Sequence, residues 1–141
     1  MPVLDHTIVA SHDHRHAAAS VAGLLGLPEP VTLGHFAVVR VGSTTTLDFV
    51  DVDGPITSQH YAFLVTEAEF DEIFGRIAEH VMPYWADPGH GHPGEINTWD
   101  GGRGVYFDDP SGHRLEIITR PYGTGGSTAA RPHPLVAETA T

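Results

Sequence analysis

The fold of this chain is decided at residues 104–116, which read Gly-Val-Tyr-Phe-Asp-Asp-Pro-Ser-Gly-His-Arg-Leu-Glu. The middle of the stretch, 109–112, is strong β-turn chemistry, because aspartate and serine bond nearby backbone amides and glycine accepts a left-handed conformation. The flanking runs 105–107 and 115–119 are rich in aromatic and β-branched residues, which favour strands. The stretch therefore predicts two strands joined by a tight turn, with Glu116 inside the second strand.

Outward from this hairpin, the second half of the chain begins with a strand at 59–65 and a helix. Thr66 and Glu69 form a capping box that opens the helix, and an apolar stripe carries it to about Glu79. An extended piece follows at 83–85, and then a loop rich in proline, glycine and histidine over 87–94.

The first half of the chain has the same order of elements. A strand at 4–10 precedes a helix that we expect to begin at a Ser11 N-cap and to stop at Gly26. Two further strands follow, at 36–41 and 44–52.

The repeated order of strand, helix and strands predicts an α+β fold built from two modules. Residues 1–120 are expected to form a single domain, with module one at 1–54 and module two at 55–120. Residues 121–141 are mostly Gly, Ser, Thr, Ala and Pro with little to bury, and are expected to form a flexible tail.

Composition excludes several classes of function. The formal charge is −11, with seven arginines and no lysine, so nucleic acid and anionic membranes are repelled on average. There is no cysteine, so a metal would have to be bound by nitrogen and oxygen. The longest mostly apolar run, 17–27, is too short to span a bilayer, and the N-terminus lacks the basic start of a signal peptide. A cytoplasmic location is the default expectation.

Two histidines and one carboxylate stand out by position. Strand alternation places His6 on a face with Ile8, His60 on a face with Ala62, and Glu116 inside the last strand. Two imidazoles and a carboxylate that converge would bind one divalent ion, Fe, Mn, Ni, Co or Zn. The alternative is that the histidines are satisfied by ordinary hydrogen bonds and the glutamate lies at a sheet edge.

Leu4-Asp5-His6-Thr7-Ile8, the placement of His60 and the stretch 104–116 together resemble the vicinal oxygen chelate superfamily. This superfamily includes glyoxalase I, extradiol dioxygenases, fosfomycin-resistance enzymes and bleomycin-binding proteins. The resemblance covers nearly the whole chain except its tail. It implies two βαβββ modules forming a cupped mixed sheet around a metal, with His6, His60 and Glu116 as ligands.

The resemblance also points to Asp48 and Tyr106 as catalytic candidates. Asp48 stands where glyoxalase I enzymes carry a fourth ligand, a glutamate, but its side chain is one carbon shorter. It could bind through water, act as a nearby base, or only face solvent. Tyr106 matches a tyrosine that relatives direct at bound substrate, although it could equally pack in the core.

The expected function is that of a metal-dependent enzyme acting on a small substrate with vicinal oxygens, by dioxygenase-like or glyoxalase/lyase-like chemistry. The alternative is a metal-free protein of the bleomycin-resistance type that sequesters an aromatic small molecule. Ile8 replaces a threonine of the fosfomycin-resistance enzymes, and Asp48 replaces the glutamate of glyoxalase I, so neither relative is a full match.

Other polar positions are weaker candidates. His12 and His16 have the spacing of a surface metal site, yet a solvated helix end is the simpler interpretation. His90 and His92 lie in a loop that would be either a lid or a mobile segment. Arg103 would pair with an anionic substrate or with a surface acid.

We further expect a homodimer in which His6 of one chain and His60 with Glu116 of the other share each metal site. His6→Ala and Glu116→Ala chains, mixed after partial unfolding, would then form dimers with one intact and one doubly damaged site. Metal binding should return to about half of the sites in those dimers. If mass measurement confirms mixing and no binding returns, all the ligands come from one chain.

Overall fold

The computed structural model describes residues 1–126 and 130–139 of the chain. It divides into two compact units. Unit 1 consists of residues 1–58 and 109–113, and unit 2 of residues 59–108 with the described part of 114–141. The units divide in the sequence between Ser58 and Gln59, close to the predicted module boundary.

Unit 1 has the order βαβββ, and its four-stranded sheet has the strand order β1-β4-β3-β2. The first and last strands pair in parallel, whereas the other pairs are antiparallel. The sequence does not predict the short strand β2, because three residues are too few for an alternating pattern to be recognised. The elements are β1 (His6–Ser11), α1 (His14–Leu25), β2 (Val31–Leu33), β3 (Phe36–Val41) and β4 (Thr45–Asp51).

The start of α1 differs from the prediction. Ser11 is the last residue of β1, is fully buried, and donates its hydroxyl to the Val50 carbonyl at 2.9 Å. Asp13 is the N-cap instead, accepting a hydrogen bond from the His16 amide at 3.1 Å. Both residue types cap helices, but parallel pairing with β4 carries the strand through Ser11. The predicted stop at Gly26 is confirmed by its left-handed φ of 68°.

One face of the unit 1 sheet packs against α1 and the other is open. Alternate residues of β1, β3 and β4 are buried against the helix, as strand geometry requires. The buried set contains Val9, Ala37, Val39, Leu47 and Phe49 from the strands and Ala17, Ala18, Val21 and Ala22 from the helix.

Unit 2 repeats this topology, except that isolated bridges take the place of the strand that corresponds to β2. Its sheet has the order β5-β7-β6, again with a parallel first pair. Where unit 1 has β2, Trp85 forms isolated bridges to Pro93 and to Tyr106 of the edge strand. The elements are β5 (His60–Leu64), α2 (Glu67–Glu79), β6 (Gly104–Asp108) and β7 (Arg114–Ile118). The predicted α+β class is confirmed, as is the Thr66/Glu69 capping box of α2.

The segment after residue 120 contains structure that its composition does not predict. A short helix α3 (Pro134–Thr139) forms, the Asp100 amide donates to the Arg131 carbonyl at 2.7 Å, and His133 packs edge-on against Trp99. The partners lie outside the segment, so its own sequence does not reveal them. Residues 127–129 and 140–141 of the predicted tail lie outside the described residues.

Within the part of the chain that the structure describes, no helix is both long and apolar enough to cross a membrane.

The contribution of the Asp109 turn to stability can be tested by substitution. The Asp109 carboxylate accepts hydrogen bonds from the Ser111 amide at 3.0 Å and the His113 amide at 2.8 Å, and the residue is buried. Asp109→Ala leaves both amides without this partner and should lower the free energy of unfolding by about 1–3 kcal/mol. Urea denaturation measures this change in the free energy of unfolding. Ser111→Ala is the matched control, with a change of about 0.5 kcal/mol or less expected; equal effects of both substitutions would contradict the assignment.

Candidate functional site

Strand register in unit 2 brings His60 and Glu116 together. The parallel pairing of β5 and β7 sets His60 opposite Arg114 and Ala62 opposite Glu116, so both side chains lie on one face of the sheet. His60 Nε2 is 3.1 Å from Glu116 Oε1. Glu116 is only 5% exposed, so its carboxylate needs partners inside the protein.

The hydrogen bonds of His60 show what its contact with Glu116 requires. His60 Nδ1 lies 3.2 Å from the Arg114 carbonyl, and a carbonyl only accepts, so this nitrogen carries the ring proton. In the neutral ring, Nε2 then presents a lone pair to a carboxylate oxygen that also presents lone pairs. Two such acceptors at 3.1 Å need a shared proton or a metal ion between them. Imidazole nitrogen and carboxylate oxygen suit the divalent ions Fe, Mn, Ni, Co and Zn.

Tyr106 completes the polar group of unit 2. It lies opposite Glu116 in the β6–β7 register, is 4% exposed, and its phenol hydrogen-bonds the Glu116 carboxylate. Burial raises the pKa of the Tyr106 phenol far above its ordinary value, and the negative charge of Glu116 raises it further. The ring stacks on His60 with centroids 5.8 Å apart. Tyr106 therefore holds Glu116 and His60 in place, and its role toward substrate stays a prediction.

The corresponding positions of unit 1 carry His6 and Asp48. The β1–β4 register sets His6 opposite Thr46 and Ile8 opposite Asp48, which repeats the His60 and Glu116 arrangement. His6 Nδ1 is 2.6 Å from Asp5 Oδ2, and this hydrogen bond, followed by the Asp48 charge, raises the pKa of His6. A carboxylate on Nδ1 leaves Nε2 available as a ligand. Thr46 donates its hydroxyl to Asp48 Oδ1 at 2.7 Å.

The predicted ligands are thus divided by the fold. His60 and Glu116 lie together in unit 2, whereas His6 lies in unit 1. Among residues 1–126 and 130–139, neither unit by itself gathers three His, Asp or Glu side chains that could hold a metal ion. The three-residue ligand set stays a prediction.

Two weaker candidates have structural partners. Arg103 pairs with Glu67 at 2.7 Å and Asp71 at 2.8 Å and lies over the Phe70 ring, which is the surface-acid alternative. His12 Nε2 hydrogen-bonds the Gly54 carbonyl, in keeping with a solvated helix end.

The 87–94 loop is closed on itself by Asp87. The Asp87 carboxylate accepts hydrogen bonds from the Gly91 and His92 amides at 2.8 and 2.7 Å. His90, at φ 60°, stacks flat on Trp85 with ring centroids 3.6 Å apart. Because Trp85 bridges Tyr106, this stack flanks the polar group. Sequence reasoning missed it, since neither residue belongs to a periodic pattern.

Comparison with known proteins gives close structural relatives. The structure named oxidase ChaP-H1 shares 57% identity over 87% of this chain and 99% of its own, with a TM-score of 0.85. Oxidase ChaP-H2 shares 56% identity over 89% of this chain and 98% of its own, with a TM-score of 0.86. Lactoylglutathione lyase from Agrobacterium tumefaciens shares 22% identity over 83% of this chain and 92% of its own, with a TM-score of 0.62, which indicates the same fold. No family model and no curated protein sequence matches the chain.

The raised pKa of Tyr106 makes a prediction about alkaline pH. Above about pH 10 the unfolded chain releases this phenolic proton while the folded chain retains it, so the folded state loses stability as pH rises. Tyr106→Phe removes this hydroxyl. The unfolding free energy of the variant should therefore fall less steeply with rising pH than that of the wild type, by up to about 1.4 kcal/mol per pH unit. Urea denaturation between pH 9 and 11 measures the slope. Tyr122→Phe, at an exposed tyrosine, is the control; equal slopes for the wild type and Tyr106→Phe would contradict the assignment.

Proposed function

Because the chain belongs to the vicinal oxygen chelate superfamily, we propose that it is a metal-dependent oxidase acting on a small substrate with two neighbouring oxygen atoms. The observation that carries the proposal is the approach of His60 Nε2 to the buried Glu116 carboxylate at 3.1 Å. The choice of oxidation over lyase chemistry draws on ChaP-H1 and ChaP-H2, which are 57% and 56% identical to this chain and are both named oxidases.

The proposed ligands are His60, Glu116 and, from the superfamily resemblance, His6. The ion would be one of Fe, Mn, Ni, Co or Zn, which accept two nitrogens and one carboxylate. When bound, it would supply Lewis acidity to two adjacent oxygens of the substrate.

The protein's own groups would prepare this site. The Arg114 carbonyl accepts the proton of His60 Nδ1, so that the Nε2 lone pair would be available to bind an ion. The Tyr106 phenol stays protonated to high pH and hydrogen-bonds Glu116, which orients that carboxylate. Asp48 has one oxygen held by Thr46, and its other oxygen would accept a proton from a substrate hydroxyl.

A metal-free aromatic-binding protein fits these observations less well. Such a site would gain nothing from a glutamate carboxylate buried in the central strand of a sheet, where an uncompensated charge is costly. A homodimer with shared sites remains part of the proposal.

The proposal predicts that metal content and oxygen uptake depend on the same residue. Wild-type protein should bind one divalent ion per chain and, loaded with Fe(II), should consume oxygen in the presence of 3,4-dihydroxybenzoate. His60→Ala should lose at least about 10-fold in both, since a ligand is removed. Elemental analysis and an oxygen electrode measure the two effects.

His16→Ala is the matched control, because it removes an exposed histidine from the alternative surface pair without touching the proposed ligands. Equal metal content in wild type and His60→Ala would exclude His60 as a ligand. A metal-loaded protein that isomerises the methylglyoxal–glutathione adduct and consumes no oxygen would replace oxidase with lyase.

A further inference from the structure

The open face of the unit 1 sheet is a grid of residues set by strand register. In the first row, His6 of β1, Thr46 of β4 and Arg40 of β3 stand side by side. Neighbouring strands lie about 4.8 Å apart, so the backbones of His6 and Arg40 are separated by roughly 10 Å.

The rest of the grid is mainly apolar. The second row contains Ile8, Asp48, Val38 and Val31. Beyond it lie two pairs, Ala10 with Val50 and Phe36 with Leu33. Leu33, Val31 and Ile8 are 66%, 65% and 55% exposed. Water covers this apolar surface unless a ligand or a partner chain does.

A cavity of about 630 Å³ lies over this face, within the range of small-molecule sites. Its lining includes His6, Asp48, Arg40, Phe36 and Val38. Arg40, Val38 and Leu33 also line a neighbouring recess of about 300 Å³, so the two continue into one another as a trough.

Arg40 has no partner within this trough. Among the residues that the structure describes, no carboxylate lies within 4 Å of its guanidinium and no hydrogen bond from it is found. Arg103, by contrast, is fully engaged by two acids. In a chain of net charge −11, a guanidinium that is not paired with any of the acids around it, on a largely apolar face, is a ready site for an anion.

Three acids line the trough, Asp5, Asp48 and Glu29, and among the described residues none of them forms an ion pair with Arg40. Asp5 is paired with His6 at 2.6 Å. Asp48 stands one row away, diagonal to Arg40, and is held by the Thr46 hydroxyl. Arg40 is therefore an unpaired cation of the trough, across the sheet from His6.

We propose that Arg40 anchors the substrate through an acidic group, so that the substrate is a flat, apolar, usually aromatic compound with vicinal oxygens at one end and a carboxylate or phenolate at the other. The proposal rests on the proposed function for the oxygen-binding end. Phe36, Val38 and Leu33 would form the floor under the ring, and Arg40 would determine specificity without touching the reacting oxygens.

The test compares 3,4-dihydroxybenzoate with its methyl ester, which differ in the anionic charge. Calorimetric dissociation constants are measured for wild type and Arg40→Gln, with Ni(II) added and without. Wild type should prefer the acid on the order of 10-fold or more, the scale of a charge-assisted hydrogen bond. Arg40→Gln should bind the two probes equally while its affinity for the ester stays within about 3-fold of wild type. Arg40→Lys should recover part of the preference, since the charge remains.

Arg15→Gln is the control, because Arg15 is exposed on α1 and lines neither recess; it should keep the wild-type preference. The proposal is overturned if wild type shows no preference, if Arg40→Gln keeps it, or if neither probe binds. A change in oligomeric mass in Arg40→Gln would assign this face to a protein interface and would also overturn it. If no metal binds but the acid preference follows Arg40, the proposed function fails and the anchor stands.

Discussion

The buried carboxylate of Glu116 is the constraint on which unit 2 depends. It lies in the central strand of the sheet with 5% of its surface exposed, and an ionised group in that position is stable only with close polar partners. His60 reaches it from the parallel neighbour β5 and Tyr106 from the antiparallel neighbour β6. A slip of one residue in either pairing would turn those side chains to the opposite face. The polar group of unit 2 therefore forms only in this strand register.

The two units share one topology but carry different side chains at corresponding positions. The positions of His60, Glu116 and Tyr106 in unit 2 correspond to those of His6, Asp48 and Val38 in unit 1. The aromatic residue in unit 2 fills its face and hydrogen-bonds the carboxylate, whereas the smaller valine leaves space above the unit 1 sheet. Unit 2 thereby organises a compact polar group, and unit 1 offers an open trough.

The arginines divide in a similar way. Arg103 ties the start of α2 to the loop before β6, and its stacking on Phe70 covers part of the apolar face of that helix. Arg40 lies on a sheet face and, among the described residues, forms no comparable ion pair. The chain is acidic and has no lysine, so an arginine that is not paired with an acid is unusual in it. We therefore relate Arg40 to ligand binding.

The sequence by itself determined the α+β class, most element bounds, the Thr66 capping box and the Asp-Pro-Ser-Gly turn, because these rest on local periodicity and on side chains that bond their own backbone. It also singled out His60 and Glu116. Only the tertiary structure decided that their atoms meet, since the parallel β5–β7 register joins residues 56 positions apart in the chain. The same reason explains the N-cap at Asp13 rather than Ser11 and the row that unites His6 with Arg40. Each depends on which strands become neighbours, and local sequence carries no record of that pairing.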